Sequence, residues 1–272
     1  MLSAKQLLEN IDSLPEEHRA AISAALSHWH GLNKVEKARG NFLDFVRHVW
    51  PIFIEGPHHR IMAEKFQAVA DGKLKRVIIN IAPRHGKSEL TSWLLPAWLM
   101  GRDPSLKVIA ATHTSDFSVR FGRKVRNLID SQDFKDVFPE VSLRADSKAA
   151  GRWDVSGGGE YFAVGVGGAM TGRGADLLII DDPHSETAGI LPTNEYFDGV
   201  YEWYSSGPRQ RLQPGGAIVI VMTRWHQRDL TGQIVKGSEE RKGADQWEVI
   251  ELPALYEDGN PLWPDFWSKE EL

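Results

Sequence analysis

Residues 76–88 read RVIINIAPRHGKS, and the fold follows from how this stretch is divided. Val77, Ile78, Ile79 and Ile81 belong to a run with little polar alternation, which suits a strand buried on both faces. The next residues, Ala82-Pro83-Arg84-His85-Gly86-Lys87-Ser88, turn into a helix expected over 87–99. A tight loop between a buried strand and a helix N-terminus gathers backbone N–H groups that can surround phosphate oxygens. Gly86 permits close approach, Lys87 adds a cation for the β and γ phosphates, and the Ser88 hydroxyl can ligate Mg²⁺. Ile81 stands where the usual pattern has its first glycine. The competing structural reading is a plain Pro-Arg-His-Gly turn followed by a helix start.

Working outward, similar apolar runs recur at 107–112 (KVIAAT), 160–166 (EYFAVGV), 177–180 (LLII) and 217–223 (AIVIVMT). Helix candidates at 115–129, 195–209 and 227–234 alternate with them, so an α/β fold with a mostly parallel, helix-covered sheet is expected. The 177–182 segment, LLIIDD, puts Asp181 at the C-terminal end of a buried strand, the edge where open α/β sheets bind ligands. Asp181 there could hold Mg²⁺ directly or through water. Asp182 follows and could orient and deprotonate an attacking water, with Glu186, four residues on, competing for that role. A strand-end turn before Pro183 is the bland alternative. Thr223, ending another buried strand, could sense a γ-phosphate. His226 has no second spaced His or Cys beside it and reads as a structural hydrogen-bonder rather than a metal ligand.

Composition bounds the rest. The 272 residues are 42% hydrophobic, enough for one large domain or two small ones. A net charge of -5 disfavours binding of nucleic acid or anionic membrane through overall charge, leaving a local basic patch as the route. With zero cysteines there are no disulfides, thiolate zinc sites or cysteine nucleophiles. Nowhere do about 18 consecutive apolar residues occur, so a soluble, cytosolic-type protein without membrane contact is expected. Leu7, Leu8 and Ile11, then Ala21, Ile22, Ala25 and Leu26, fall at helical spacing, with a second helix start at Pro15. Further helices are expected at 41–50 and 61–69. The organisation read from this is a helical lead-in over 1–36, a principal domain over 37–260, and the start of a linker at 261–272, where Pro261, Pro264 and acidic residues gather.

In order along the chain, GPHHRIMAEKFQAV, IINIAPRHGKSEL, RFGRKVRNLI, AAGRWDVSGGGEYFAVGVGGAMTGRGADLLIIDDPHSE and VIVMTRWHQRDLTG resemble the large terminase subunit of tailed bacteriophages and prophages, over roughly residues 40–265. The resemblance implies a RecA-like ASCE P-loop ATPase, with ATP and Mg²⁺ as cofactors, that moves double-stranded DNA into a prohead. It places the phosphate loop on Pro83, Arg84, His85, Gly86, Lys87 and Ser88, the metal-holding aspartate on Asp181, the catalytic carboxylate on Asp182 and the coupling motif on Thr223 and Arg224. A base or ribose contact is implied at His59 and Arg60 of GPHHR. Arg173, in TGRG, resembles an arginine that some members insert into a neighbour's site. A solvated arginine between glycines is its alternative.

The resemblance further implies a homo-oligomeric ring, a pentamer, at the portal vertex of the prohead in the host cytoplasm, with portal protein and the small terminase subunit as partners. The isolated domain could stand as a monomer. The family's nuclease domain would follow residue 272, so nuclease activity is not expected from these residues. Arg120, Arg123 and Lys124 share a helix face and, with Arg126, could grip DNA phosphates without base readout, or could be a plain solvated face. Rival readings are a superfamily 2 helicase-like translocase, which normally needs a second RecA-like domain, and a nucleotide-regulated binding protein.

Overall fold

The Val/Ile runs form the centre of an eight-stranded sheet. In chain order the strands are β1 (Arg76–Ile81), β2 (Lys107–Thr112), β3 (Leu143–Ala149), β4 (Arg152–Val155), β5 (Glu160–Gly165), β6 (Ala175–Asp181), β7 (Leu212–Met222) and β8 (Glu248–Leu252). Their spatial order is β3-β4-β5-β2-β6-β7-β1-β8. From β5 to β8 every pairing is parallel, whereas β3 and β4 add an antiparallel margin. The computed structural model describes residues 15–170, 172–186 and 193–272. The expected helical positions Leu7, Leu8 and Ile11, and Thr171 of the TGRG stretch, lie outside the described residues.

Because successive strand residues face opposite ways, the unbroken apolar runs supply two cores. Val77, Ile79, Val108, Ala110, Leu177, Ile179, Val219 and Val221 face one layer. That layer is built by α1 (Glu16–Gly40), α2 (Phe42–Val49), α3 (Pro57–Ala70), α4 (Leu95–Arg102), α5 (Ser115–Asp130) and α6 (Gln132–Val137). Ile78, Ile109, Leu178, Ile180, Ile218 and Ile220 face the other layer, made by α7 (Asn194–Ser206) and α8 (Leu230–Glu240). The helix expected over 87–99 begins instead as a wide π-type turn, Glu89–Leu94, before passing into α4.

One expected boundary changes. The lead-in does not end at residue 36, because α1 runs unbroken to Gly40, where Ala38 is buried and its carbonyl accepts a 3.0 Å hydrogen bond from Trp98 Nε1. Within residues 261–272, expected as the start of a linker, Leu262 and Trp263 are buried against the main body. An apolar Leu-Trp pair gains more by covering the phosphate loop's supports than by facing water. Among the described residues no helix is long and apolar enough to cross a membrane.

Candidate nucleotide site

All parallel strands end on one edge, and the register brings the expected residues together there. Thr112 pairs with Asp181, Asp181 with Val221, and Asn80 with Met222, so β2, β6, β7 and β1 terminate side by side. The loop following β1 doubles back over this edge. Its turn uses left-handed backbone at Arg84 (φ 60°) and Gly86 (φ 75°). At Gly86 a Cβ would also lie 2.6 Å from His59 Nε2, so glycine is required there twice over.

Lys87 is buried, and its Nζ lies 2.9 Å from Asp182 Oδ2 and 3.3 Å from Thr223 Oγ1. Asp182 Oδ1 accepts the Thr223 N–H at 2.8 Å, while its own N–H and carbonyl are held by Val221 and His113. These bonds keep Asp182 at φ 42°, a conformation an aspartate adopts rarely and which is characteristic of functional sites. Ser88 Oγ donates to Asp181 Oδ1 at 3.0 Å, and Ser92 Oγ, from the wide helical turn, donates to Asp181 Oδ2 at 2.7 Å. Burial raises the Asp181 carboxyl well above the usual carboxylate range, reinforced by the negative Asp182 and opposed by Lys87 and the two serines.

A buried carboxylate and a hydroxyl 3.0 Å apart are hard oxygen donors that fit a Mg²⁺ ion. Among the described residues no cluster of three or more His, Asp or Glu side chains surrounds them. A cation here would therefore complete its shell with phosphate oxygens and water, as Mg²⁺ commonly does. Glu186 is exposed, and none of the bonds linking Lys87, Ser88, Asp181, Asp182 and Thr223 involves it.

The GPHHR stretch has a different job from the one expected. His58 and His59 are fully buried, and both donate from Nε2 to the His85 carbonyl, at 2.9 and 3.2 Å. His59 Nδ1 accepts the Gly56 N–H at 2.9 Å, which fixes a neutral ring. Its ring packs against Phe53 and Trp263, with centroids 4.8 and 4.7 Å away. Enclosed in this way, His59 presents no edge to a base, and Arg60 is drawn off into an ion pair with Glu55. His58 and His59 thus lie buried beneath the loop after β1, whereas Arg60 remains exposed. His85 joins them, with Nδ1 donating to the Pro83 carbonyl at 2.8 Å, while Pro83 and Arg84 stay exposed on the outer limb. The pairing of His58 and His59 with His85 was not legible beforehand, because the partners are 26 and 27 residues apart with no local pattern between them.

Arg173 lies at the other end of the sheet. It stacks 4.2 Å over Phe162 and pairs with Glu160 at 3.6 Å, beside the start of β5. β6 then runs seven residues to Asp181, about 20 Å at strand rise, so Arg173 does not reach the site of its own chain. Arg120 and Arg123 are exposed on α5, whereas Lys124 is turned inward over Trp93 (4.4 Å) and toward Glu89 (3.9 Å).

A glycine-containing loop after β1, an acidic pair at the end of β6, and β7 inserted between those two strands define a mostly parallel α/β domain whose candidate ligand site lies at the strand C-termini. The chain is similar to the large terminase subunit of Enterobacteria phage T3, with 24% identity over 228 residues that cover 82% of this chain. It spans 37% of that relative's length. No family model matches the chain. Among solved structures it is similar to the HK97 bacteriophage large terminase, at TM-score 0.48 and 14% identity over 80% of this chain and 43% of that one. It is also similar to the large terminase ATPase domain of Thermus phage P74-26, at TM-score 0.42 and 14% identity over 74% and 82% of the two chains.

Proposed function

We propose that this chain is the ATP-hydrolysing part of a motor that drives double-stranded DNA into a viral prohead. The observation that carries the reading is the meeting of Lys87, Ser88, Asp181, Asp182 and Thr223 at the ends of three adjacent strands. The likeness to a phage large terminase supports the packaging role. Residues 37–260 form the ATPase domain, completed by the aromatic segment that covers its loop.

The polyphosphate lies over the backbone amides of residues 84–88. Lys87 leaves Asp182 for the β and γ phosphates, because a polyanion offers it more negative charge than one carboxylate. Ser88 and Asp181 would hold Mg²⁺, which would supply neutralisation of the phosphate charge. Freed of its lysine, Asp182 accepts a proton from the attacking water while Thr223 N–H keeps its other oxygen in place. When the γ-phosphate departs, Thr223 is released from the loop and β7 passes the change onward through Arg224.

Arg173 serves a neighbouring chain, which makes a ring, a pentamer by resemblance, the working form. Arg120 and Arg123 are candidates for the phosphate grip on DNA. Portal protein, the small terminase subunit and a place at the portal vertex in the host cytoplasm complete the proposal.

The test is phosphate release from ATP with Mg²⁺, with and without double-stranded DNA, for the wild-type chain and Lys87→Ala. Loss of turnover in the variant is expected. Wild-type turnover that survives Lys87→Ala would overturn the nucleotide site.

A further inference from the structure

At the end of the sheet away from the candidate nucleotide site, a cleft of about 270 Å³ opens between α7, α8 and the loop that leads to β8. Tyr201, Tyr204 and Trp247 supply its aromatic walls, and Arg209, Arg241 and Asp245 bring charge to it. Asp245 Oδ2 lies 2.9 Å from Arg209 Nε and 3.1 Å from the Nε of Arg76, the first residue of β1. The loop over 82–88 leaves the opposite end of that strand. Arg241, exposed just past the end of α8, has no ion pair or hydrogen bond among the described residues. Arg209 spends only its Nε on Asp245, so its two Nη groups are open as well. Tyr204 is 5% exposed, and its hydroxyl has no hydrogen-bond partner among the described residues. Burial pushes that phenol up, so the hydroxyl keeps its proton. The cleft thus presents unused guanidinium and hydroxyl donors, while its one carboxylate is already taken by two arginines.

We infer that this cleft docks a segment of a partner protein in which an aromatic residue is followed by glutamate or aspartate. The ring packs on Tyr201, Tyr204 and Trp247, and the carboxylate meets Arg241 and the open Nη groups of Arg209. The inference stands apart from the nucleotide reading, because the cleft shares no residue with the phosphate site. Tyr, Trp and Arg are the residue types that carry most binding energy at protein interfaces, and arginine clusters recognise acidic segments. Here the guanidiniums of Arg76, Arg209 and Arg241 face the single carboxylate of Asp245, so the complementary partner is anionic. The volume lies just below the usual range for whole small molecules and suits one large side chain with a neighbouring carboxylate. A nucleic-acid strand fits less well. Exposed Glu202 on α7, and Glu239 and Glu240 on α8, adjoin the lining and repel closely spaced phosphates more than they repel one carboxylate. A duplex also keeps its bases stacked and offers no free ring to the aromatic walls.

The experiment is titration of the full chain, followed by its NMR spectrum, with the capped peptides acetyl-Phe-Glu-amide, acetyl-Phe-Gln-amide and acetyl-Ala-Glu-amide and with a short oligothymidylate. The proteins compared are wild type, Arg241→Gln and Tyr204→Phe, each checked for folding by its thermal transition. Wild type is expected to bind the Phe-Glu peptide about fivefold more tightly than the Phe-Gln peptide, the effect of roughly one partly exposed charged contact. The Ala-Glu peptide, which lacks the ring, should bind more weakly than Phe-Glu by a similar factor. Arg241→Gln should erase the preference for Glu over Gln and keep the preference for Phe over Ala. Tyr204→Phe, which removes one buried hydroxyl and keeps the ring, should weaken Phe-Glu binding by about threefold. Failure of the Phe-Glu peptide to bind wild type, equal binding of Phe-Glu and Phe-Gln, or an unchanged ratio in Arg241→Gln would each overturn the inference. Oligothymidylate binding abolished by Arg241→Gln would also overturn it and assign the cleft to nucleic acid. Self-association of the chain abolished by the same variant would overturn it in favour of a second copy as the occupant.

Discussion

Lys87 Nζ sits 2.9 Å from Asp182 Oδ2, so the cation that the proposal assigns to the phosphates is held by the carboxylate that it assigns to the water. Thr223 touches both, accepting from Lys87 and donating its N–H to Asp182. Without nucleotide the two charges offset one another, and the carboxylate is blocked as a base. In the proposed mechanism nucleotide binding and base activation are one event, because the lysine's transfer to phosphate would free the carboxylate.

This pairing predicts a split phenotype for Asp182→Asn. Removing a negative charge beside a polyanion site and releasing Lys87 should tighten ATP binding by about threefold to tenfold, given that one charged contact is worth about a kcal/mol near a surface. Turnover should fall by about 10² to 10⁴, the usual contribution of general-base catalysis. Binding and single-turnover hydrolysis measured on the same preparation check both halves. Weaker binding in the variant would count against the lysine exchange.

Glu186 gives the complementary control. It is exposed and outside the bonded set, so Glu186→Gln should leave single-turnover hydrolysis within about twofold of wild type. A loss matching that of Asp182→Asn would move the base to Glu186. Aspartate at 182 is one methylene shorter than the glutamate more common after such a strand, and its left-handed backbone and the Thr223 N–H are what aim it instead.

The places of the candidate residues were legible in the sequence because Asp181 closes β6, while Asp182, Thr223 and the loop over 82–88 follow directly on β6, β7 and β1, strands whose apolar runs are buried on both faces. The runs at Arg76–Ile81 and Lys107–Thr112 have the bounds their apolar residues set, and β5, β6 and β7 differ only at their ends. β3, β4 and β8 left no such trace. LRADSKA and RWDV lie in the antiparallel margin, and EVIEL on the opposite edge is largely exposed. The edge strands β3 and β8 need not carry apolar residues on both faces, and the four-residue β4 is too short to show a run, so their sequences lose the signal. The supports of the phosphate loop were illegible for another reason. Trp263 meets His59 across some two hundred residues, and no local period encodes such a contact.

Arg173 tests whether the site is completed between chains. Its distance from Asp181 along β6 predicts that Arg173→Ala binds ATP like wild type but turns it over slowly once assembled. An arginine supplied in trans contributes about 10³ to 10⁵ in phosphoryl transfer. Mixing Arg173→Ala with Asp181→Ala chains should restore part of the activity, since some interfaces would pair an intact arginine with an intact site. Absence of rescue at assembling concentrations would leave Arg173 as a packing residue on Phe162.

Trp263 tests the loop's support. It contacts His58 and His59 and stacks on Phe266 with centroids 4.3 Å apart. Trp263→Ala should cost about 3 kcal/mol of stability, typical of a buried aromatic truncation, and should also weaken ATP binding because His58 and His59 hold the loop through the His85 carbonyl. Denaturant unfolding and nucleotide titration measure the two. Truncating Ile52, an exposed apolar residue, should change neither.

Acid should loosen that support in a defined direction. Burial lowers His58 from 6.5 to about 4 and His59 to about 3, with the neighbouring His58 adding to the effect on His59. A histidine depressed in the folded state takes up its proton more readily when unfolded. Its contribution to stability is fully present above pH 6.5 and is lost as pH falls through that value toward 4 and 3, at about 1.4 kcal/mol per unit of separation. His184, lowered by burial to about 4, acts the same way. Asp181 has the opposite sign, because its raised carboxyl lets the folded state hold a proton that the unfolded chain releases, so acidification relieves its cost. The direct chemical consequence falls on His59, whose Nδ1 must stay unprotonated to accept the Gly56 N–H. His59→Gln removes one of the titrating groups. Its stability, lower than wild type at pH 7.5, should therefore decline less steeply between pH 6.5 and 4. Parallel stability curves for the two proteins would show that protonation of His59 does not govern the acid response.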